Sequence, residues 1–382
     1  MLKVQNLALY IHWPFCLSKC PYCDFNSHVR ASIDEDSWEE ALLKEMDHTA
    51  QRLGPRNLTS IFFGGGTPSL MRPKTVGALI NRAAHHWPFT PNMEITLEAN
   101  PNSVEVNRFQ DLRTAGVNRV SIGVQALNDA DLKQLGRQHS AHEAMAAVTT
   151  AMGVFERVSF DLIYARPHQS LAAWNQELAQ ALSFGTEHLS LYQLTIEPGT
   201  AFAPLYERGD LIIPGEDLAA DLFELTQNQT AAAGLPAYEI SNHARPNSES
   251  RHNLSYWRYQ DYAGIGPGAH GRLTLNEGKV ATKQYRAPET WLTAVRNGSG
   301  EEEELPLSLE EQATEAVMMG LRLTSGICLS HLPELTQSII DANALNILIK
   351  GEYLMLTDDI LKATPLGLQC LNAVLKRLLS TS

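Results

Sequence analysis

Between residues 8 and 28 an apolar run, Ala8-Leu9-Tyr10-Ile11-His12-Trp13, opens into Cys16, Cys20 and Cys23, a C-x3-C-x2-C spacing. Three thiolates on one short loop are soft ligands, suited to an iron–sulfur cluster or to zinc rather than to hard ions. A structural zinc closes its tetrahedron with four ligands. A triplet with no fourth cysteine nearby therefore favours a [4Fe-4S] cluster with one iron open to a substrate. Spacing alone leaves two alternatives: a zinc loop completed by His12 or His28, or three unrelated buried cysteines.

Further chemistry-bearing residues close successive apolar runs. Ile61-Phe62-Phe63 breaks into Gly64-Gly65-Gly66-Thr67-Pro68, where missing side chains let a ligand reach the backbone, although a tight turn at positive φ asks for the same residues. Glu98 ends the next run, and a carboxylate there is costly unless paired or liganded. Gln125 follows Val120–Val124, Arg137 lies in Leu135-Gly136-Arg137, and Asp161 stands among apolar neighbours in Ser159–Tyr164. Taken singly, Arg137 reads equally as a surface ion pair and Asp161 as a buried cap.

In this order and spacing the motifs resemble the radical S-adenosylmethionine (SAM) superfamily. The resemblance implies a [4Fe-4S] cluster on Cys16, Cys20 and Cys23 whose open iron binds the amino and carboxylate groups of SAM. One electron from that cluster cleaves the sulfonium to a 5′-deoxyadenosyl radical in such proteins. It further implies Tyr10, Gly65, Gly66, Thr67, Glu98, Gln125, Arg137 and Asp161 as SAM contacts. Chemically the set is sensible, because a sulfonium carrying an ammonium, a carboxylate and a ribose diol needs partners of mixed sign together with amides. One departure is local: the chain reads Ala165-Arg166-Pro167 where the family is expected to have Gly-Leu-Pro. Arg166 would reshape that loop or add a cation near the pocket.

A narrower resemblance, over nearly the whole chain, is to the branch holding oxygen-independent coproporphyrinogen III oxidase and the HemW haem chaperones. The oxidase continues its cysteine motif with a further thiol and carries a longer N-terminal arm. Here Phe25 stands in place of that thiol, and Tyr10 lies almost at the start. His252-Asn253-Leu254-Ser255-Tyr256-Trp257, followed by Gly264-Ile265-Gly266-Pro267-Gly268-Ala269, is similar to the HemW signature. Imidazole is a common axial ligand of haem and aromatic faces pack on a macrocycle, yet chemistry alone reads His252 as a core histidine; the resemblance makes it the haem candidate, with His243 and His270 as neighbours able to serve instead. The implied function is a haem chaperone with three cofactors, a [4Fe-4S] cluster, SAM and haem, delivering haem to respiratory haemoproteins, some of them at a membrane, and able to form a homodimer. The competing function is radical decarboxylation of coproporphyrinogen III, and an intact SAM site keeps cleavage of SAM open.

These residues need a scaffold. The 382 residues suit two domains or one large α/β domain with an appendage, and 44% hydrophobic residues are ample for a core. Apolar runs fall short of the ~18–20 residues that cross a bilayer. A basic segment, apolar core and cleavage site of a secretion signal are missing from the start, and five cysteines with three clustered suit a reducing compartment, which predicts the cytoplasm. A net charge of −13 argues against a nucleic-acid footprint. Strand-like runs at Leu7–His12, Ser60–Phe63, Glu94–Glu98, Arg119–Val124, Ser159–Tyr164 and Leu189–Leu194 alternate with helical periodicity over Asp36–Arg52, Lys74–His86, Val104–Ala115, Ala141–Phe155 and Leu171–Ser183. About six βα units predict an incomplete (β/α)6 barrel over residues 1–235, with chemistry at the C-terminal strand ends.

Residues 236–300 are then a connecting region with the histidine motif, and 301–382 a smaller, mainly α-helical domain. Asn297-Gly298-Ser299-Gly300 and Glu301–Glu304 read as a solvated linker marking that boundary. Beyond it the spacing predicts helices over Leu309–Leu323 and Leu335–Ile349, a hairpin of Tyr353–Leu356 with Ile360–Ala363, and a helix over Pro365–Leu379. This is a winged-helix-like arrangement without a basic recognition helix, better suited to packing or partner docking than to DNA. Cys328 and Cys370 read as buried apolar thiols.

Overall fold

The structure, a computed structural model, describes residues 5–332 and 339–379. β1 (Asn6–Trp13) leads into a cysteine loop framed by the short pair β2 (Phe15–Cys16) and β3 (His28–Val29). There follow β4 (Asn57–Gly65), β5 (Phe89–Ala99), β6 (Arg119–Gln125), β7 (Arg157–Tyr164) and β8 (His188–Gln193), each parallel to and beside its predecessor. Between and after them run α1 (Glu35–Leu53), α2 (Pro73–His86), α3 (Ser103–Val106), α4 (Phe109–Thr114), α5 (Asp129–Gln134), α6 (Ala141–Val154), α7 (Leu171–Ser183), α8 (Phe202–Glu207) and α9 (Glu216–Ala232). The expected incomplete (β/α)6 barrel is therefore the observed centre.

The six strands read with period two. Leu7, Leu9, Ile11, Ile61, Phe63, Ile95, Leu97, Val120, Ile122, Phe160, Leu162, Leu189 and Leu191 are buried in one apolar cluster with Trp38, Leu42, Leu79, Val148 and Leu178 of the helices. The alternate positions carry Tyr10, Ser60, Glu94, Thr96, Glu98, Arg119, Ser121, Ser159, Asp161, His188 and Ser190. Hydrogen bonds run across that inner face: Arg119 Nη2 donates to Ser159 Oγ at 2.9 Å, and Ser121 Oγ to Asp161 Oδ1 at 3.1 Å. A parallel sheet covered on both sides usually reads apolar throughout. Here polar alternation marks the inner face, which other parts of the chain must satisfy.

The sheet continues past the barrel to eleven strands. β9 (Asn242–Ala244) pairs antiparallel with β8. At the other edge β10 (Tyr262–Ile265) lies parallel to β1, and β11 (His270–Leu275), β12 (Gly278–Gln284) and β13 (Glu301–Pro306) follow antiparallel. The acidic run Glu301–Glu304 is thus a sheet edge rather than the expected linker. Lys283 Nζ lies 3.1 Å from Glu302 and 3.2 Å from Glu303, and Arg52 pairs with Glu301 at 2.8 Å. Charge on an edge strand discourages further pairing, so a strand can look like a solvated segment. Gly300 is held as well: its N–H donates to buried Glu45 at 2.7 Å, and a Cβ there would lie 2.1 Å from Trp291 Nε1.

The helix α10 (Arg251–Trp257) fills the inner face at the N-terminal end of the strands. Its N-cap Ser250 accepts from Asn253 N–H. The carboxylate of Glu94, buried at the start of the inner row, accepts from Ser250 Oγ (3.3 Å), Arg251 N (3.2 Å) and His252 N (3.1 Å) and pairs with Arg157. Burial would raise Glu94, but the positive charges of Arg119 and Arg157, joined by the amides of His252 and Arg251, hold it below the usual carboxylate range.

Beyond α11 (Pro288–Arg296) the C-terminal part has a core of its own, with Val317, Leu321, Leu348, Leu354, Leu361, Leu371 and Leu378. α12 (Leu309–Gly320) starts at a capping box of Ser308 and Glu311. β14 (Ile327–Cys328), β15 (Leu354–Thr357) and β16 (Ile360–Ala363) form a three-stranded sheet that contains the expected hairpin. The helix expected over Leu335–Ile349 lies partly outside the described residues; within them it is broken at Ile340 and Asp341, and α13 (Ala342–Lys350) starts anew at the Asp341 cap. The last expected helix is split at Cys370 into α14 (Pro365–Gln369) and α15 (Leu371–Leu378). Cys328 and Cys370 are half-buried at element ends, not sealed in the core, and Cys328 Sγ lies 3.4 Å from Asp359 Oδ2. Also corrected is the single helix over Val104–Ala115. It is the pair α3 and α4, because buried Glu105 turns inward to accept from Asn100 N at 2.6 Å and from Ser69.

Removing Glu94 leaves Arg157 and the amides of α10 without their buried acceptor. Glu94→Ala should cost about 3–5 kcal/mol in urea unfolding, the range for breaking a buried pair, and α10 should gain amide exchange before the flanking strands do. Loss of under about 1 kcal/mol, the worth of a surface pair, would refute the role given to Glu94.

Candidate functional site

At the C-terminal strand ends the inner face opens into a cavity of about 420 Å³ lined by Cys16, Cys20 and Cys23 together with Gly65, Gly66, Thr67, Glu98, Gln125, Arg137 and Asp161. The structure thus brings together ten of the residues singled out in the sequence. All but Arg137, which follows α5, reach the cavity from a strand end or the loop after it, where β-strand alternation turns inward side chains toward one mouth.

The thiols are surrounded by donors. Thr67 Oγ1 lies 3.5 Å from Cys16 Sγ, Arg137 Nη1 3.5 Å from Cys20 Sγ, and Ser27 Oγ 3.9 Å from Cys23 Sγ. Burial pushes the Cys16 and Cys23 thiols up, so thiolates here call for a soft cation to hold them ionised. Among the described residues no group of three or more His, Cys, Asp and Glu has the disposition of a classical metal site. Three sulfurs on a loop that spans the cavity fit a cluster, whose irons bond one thiolate each, better than a single ion enclosed by its ligands.

Arg137 also donates to Gly123 O at 2.7 Å and to Asn100 Oδ1 at 2.5 Å, and Asn100 Nδ2 donates to Thr67 Oγ1 at 3.1 Å. One chain of contacts therefore joins two of the cysteines through Thr67, Asn100 and Arg137. The sequence reading missed Asn100, although its place two residues after Glu98 at a strand end was the available signal. It also missed Tyr192, the inward residue at the end of β8, which exposes 42% of its surface into the region that Gln193 and Leu194 share.

Glu98 and Asp161 face each other across the cavity floor. Burial and the charge of Asp161 push Glu98 up to about 8, its one backbone donor being Gly65 N–H at 3.2 Å. Burial pushes Asp161 up to about 6 against the hydrogen bonds of Ser190 and Ser121. Two buried carboxylates short of positive charge make a receptor for a cation, which is what an ammonium or sulfonium supplies.

Two expected site residues lie elsewhere. Tyr10 is not among the cavity-lining residues: its register with Phe62, and of Phe62 with Thr96, puts it one layer below Glu98, with its hydroxyl 2.9 Å from His12 Nδ1. His252 is 1% exposed. Its Nδ1 meets Ser60 Oγ at 2.9 Å and its Nε2 meets Tyr256 OH at 2.7 Å, while the ring stacks on Phe62 at 4.9 Å. An axial ligand needs a free nitrogen lone pair, and in this conformation His252 offers none. His243 is buried too, with Nδ1 on Thr230, whereas His270 is exposed on β11. Arg166, considered as a cation near the pocket, is instead a buried ion-pair partner of Glu177 and Asp131.

A ligand cation favours ionised Glu98. Below pH 8 the empty site must lose a proton before the cation binds, so SAM affinity should rise from pH 6.5 to about 8 and level off above, with proton uptake into buffer at neutral pH. Glu98→Gln should bind more weakly and abolish that slope, as isothermal titration in buffers of different ionisation enthalpy would read. A pH-independent affinity in the unaltered protein would remove Glu98 from the cation site.

The sequence profile of the Radical SAM superfamily matches residues 10–178, and that of the HemN C-terminal domain matches 307–370. Heme chaperone HemW of Haemophilus influenzae is 37% identical over 390 residues, covering 100% of both chains. HemW of Escherichia coli is 42% identical over 76% of this chain and 77% of its own, and the mitochondrial radical S-adenosyl methionine domain-containing protein 1 of Danio rerio is 38% identical over 97% and 86%. Among solved structures, coproporphyrinogen III oxidase from Escherichia coli superposes with a TM-score of 0.82 at 20% identity, covering 99% of this chain and 91% of that one, which establishes the shared fold. Sequence identity of this order along the full length, on a radical SAM fold with its cysteine loop at the strand ends, means that the chain belongs to the HemW family of the radical SAM superfamily.

Proposed function

We propose that the chain is a haem chaperone that binds haem and a SAM-ligated [4Fe-4S] cluster and passes haem to respiratory haemoproteins. The observation that carries this reading is the end-to-end match to a protein named as a haem chaperone, set against 20% identity to the oxidase. Phe25 supports it: where the oxidase is expected to add a thiol, this chain has an apolar ring, 60% exposed at the cavity mouth.

In this reading Cys16, Cys20 and Cys23 hold the cluster, and Thr67, Ser27 and Arg137 lend hydrogen bonds to the sulfurs. When bound, the cluster supplies one-electron chemistry to SAM. Glu98 and Asp161 take the positive groups of SAM, Gln125 and Arg137 its polar and anionic groups, and Gly65, Gly66 and Thr67 border the amino group. Tyr10 contributes from below by holding His12. Coproporphyrinogen is not a substrate.

His252 coordinates haem only once α10 withdraws from the barrel and frees Nδ1 from Ser60 and the ring face from Phe62, Tyr256 moving with it on the same helix. His270 competes as ligand from the accessible surface, with Arg286 supplying positive charge nearby for a propionate, while Arg272 and Lys283 are paired with Glu315 and with Glu302 and Glu303. No described helix is long and apolar enough to cross a membrane. We place the protein in the cytoplasm, acting on membrane-associated acceptors and able to dimerise, since cluster thiolates need a reducing compartment.

Anaerobically reconstituted protein should titrate with haemin to one equivalent and leave coproporphyrinogen III unchanged. Cys20→Ala should lose the cluster absorbance and keep haem binding. If His252 is the ligand, His252→Ala alters the haem Soret band and His270→Ala does not; the reverse assigns His270. Robust porphyrinogen decarboxylation would overturn the chaperone reading.

A further inference from the structure

The segment after β7 carries Arg166, and the structure makes that side chain a hub. Arg166 is 1% exposed. Its guanidinium pairs with Glu177 of α7, contacts Asp131 Oδ2 of α5 at 2.7 Å, and donates through Nη1 to Ile163 O at 2.7 Å and Gln125 O at 3.4 Å. Glu177 in turn accepts Leu127 N–H at 2.7 Å, and Gln169 closes the ring by accepting Arg166 N–H at 3.3 Å and donating to Glu177 at 3.4 Å.

Three of the segments joined by this ring carry or lead to residues of the cavity. Ile163 lies two residues beyond Asp161 on β7. Gln125 ends β6. α5 leads directly to Arg137, with Leu135 N–H on Asp131 O at 2.8 Å and Arg137 N–H on Leu132 O at 2.9 Å. The backbone around the ring is strained: Gln125, Ala165 and His168 stand at φ 71°, 56° and 61°, a left-handed region that non-glycine residues enter only when their surroundings hold them. A forked guanidinium with several donors in fixed geometry can hold carbonyls and carboxylates from different elements at once, which a lysine cannot.

We infer that Arg166, with Glu177, is a positioning residue of the SAM site, tying together the strand ends and the helix that present Gln125, Arg137 and Asp161. This rests on the reading that those three residues hold SAM. Arg166 does not line the cavity, so its action on the ligand runs through them.

The test uses the reconstituted full-length protein and four variants: Arg166→Lys, Arg166→Leu, the double variant Arg166→Leu/Glu177→Leu, and Gln125→Ala. Iron content and thermal midpoint report folding and the cluster, while the SAM-dependent change in the EPR spectrum of the reduced cluster reports affinity. The double variant removes both fully buried charges, and the carboxylate of Asp131, partly exposed, keeps Asn128 Nδ2 as donor at 2.7 Å, which keeps the question open if Arg166→Leu alone does not fold. The expected result is wild-type iron content and thermal midpoint in the double variant with SAM affinity weaker by roughly tenfold or more, and partial recovery in Arg166→Lys. A double variant that binds SAM as the wild type does, whether or not its thermal midpoint falls, assigns the pair to stability alone and overturns the inference. Unchanged affinity in Gln125→Ala is a separate failure, that of the SAM-site reading itself.

Discussion

Charge enclosed inside a sheet must be met by opposite charge or by hydrogen-bond donors, and that requirement organises this molecule. The inner face of the six-stranded barrel carries Glu94, Glu98, Arg119, Arg157 and Asp161, all on strands whose outward residues lie in the apolar cluster. A sheet with such a face cannot fill its interior with side chains of its own, as an apolar barrel does. It needs other elements to enter and neutralise it.

At the lower end the need is met from within the chain. α10 delivers the amides of Arg251 and His252 and the hydroxyl of Ser250 to Glu94, and Arg157 adds the countercharge. His252 and Tyr256 then complete the packing against Phe62. At the upper end the need is left over. Glu98 and Asp161 are pushed toward their protonated forms, and Cys16 and Cys23 are pushed the same way by burial. One half of the barrel is a finished core and the other half is a receptor, and the difference lies in which charges the chain itself satisfies.

The likeness to the oxidase belongs to this architecture, and at 20% identity it speaks of fold. Two features of this chain lie around the cavity without altering the sheet: Phe25 lines it close to the third cysteine, and buried Arg166 lies beneath the loops that carry Gln125 and Arg137.

Much of the site was legible in the chain because its residues fall at strand ends and in order. Cys16, Cys20 and Cys23 are local in sequence, Glu98 and Gln125 close runs of period two and Asp161 stands within one, so spacing placed them on strands and strand ends, while their grouping around one ligand came from the resemblance to the radical SAM superfamily. The barrel strands followed from the same alternation. Spacing could not decide matters set by contacts between residues distant in sequence. Glu301–Glu304 became a strand only because Lys283 and its neighbours on β12 lie alongside, and His252 became a core residue only because Ser60 and Phe62, nearly two hundred positions earlier, enclose it. Arg166, a loop cation on paper, is buried because Glu177, Asp131 and two carbonyls converge on it. Identity and period are properties of the chain, while the partner that makes a buried charge tolerable is supplied only when the chain is folded, and at those positions tertiary structure alone decided the role.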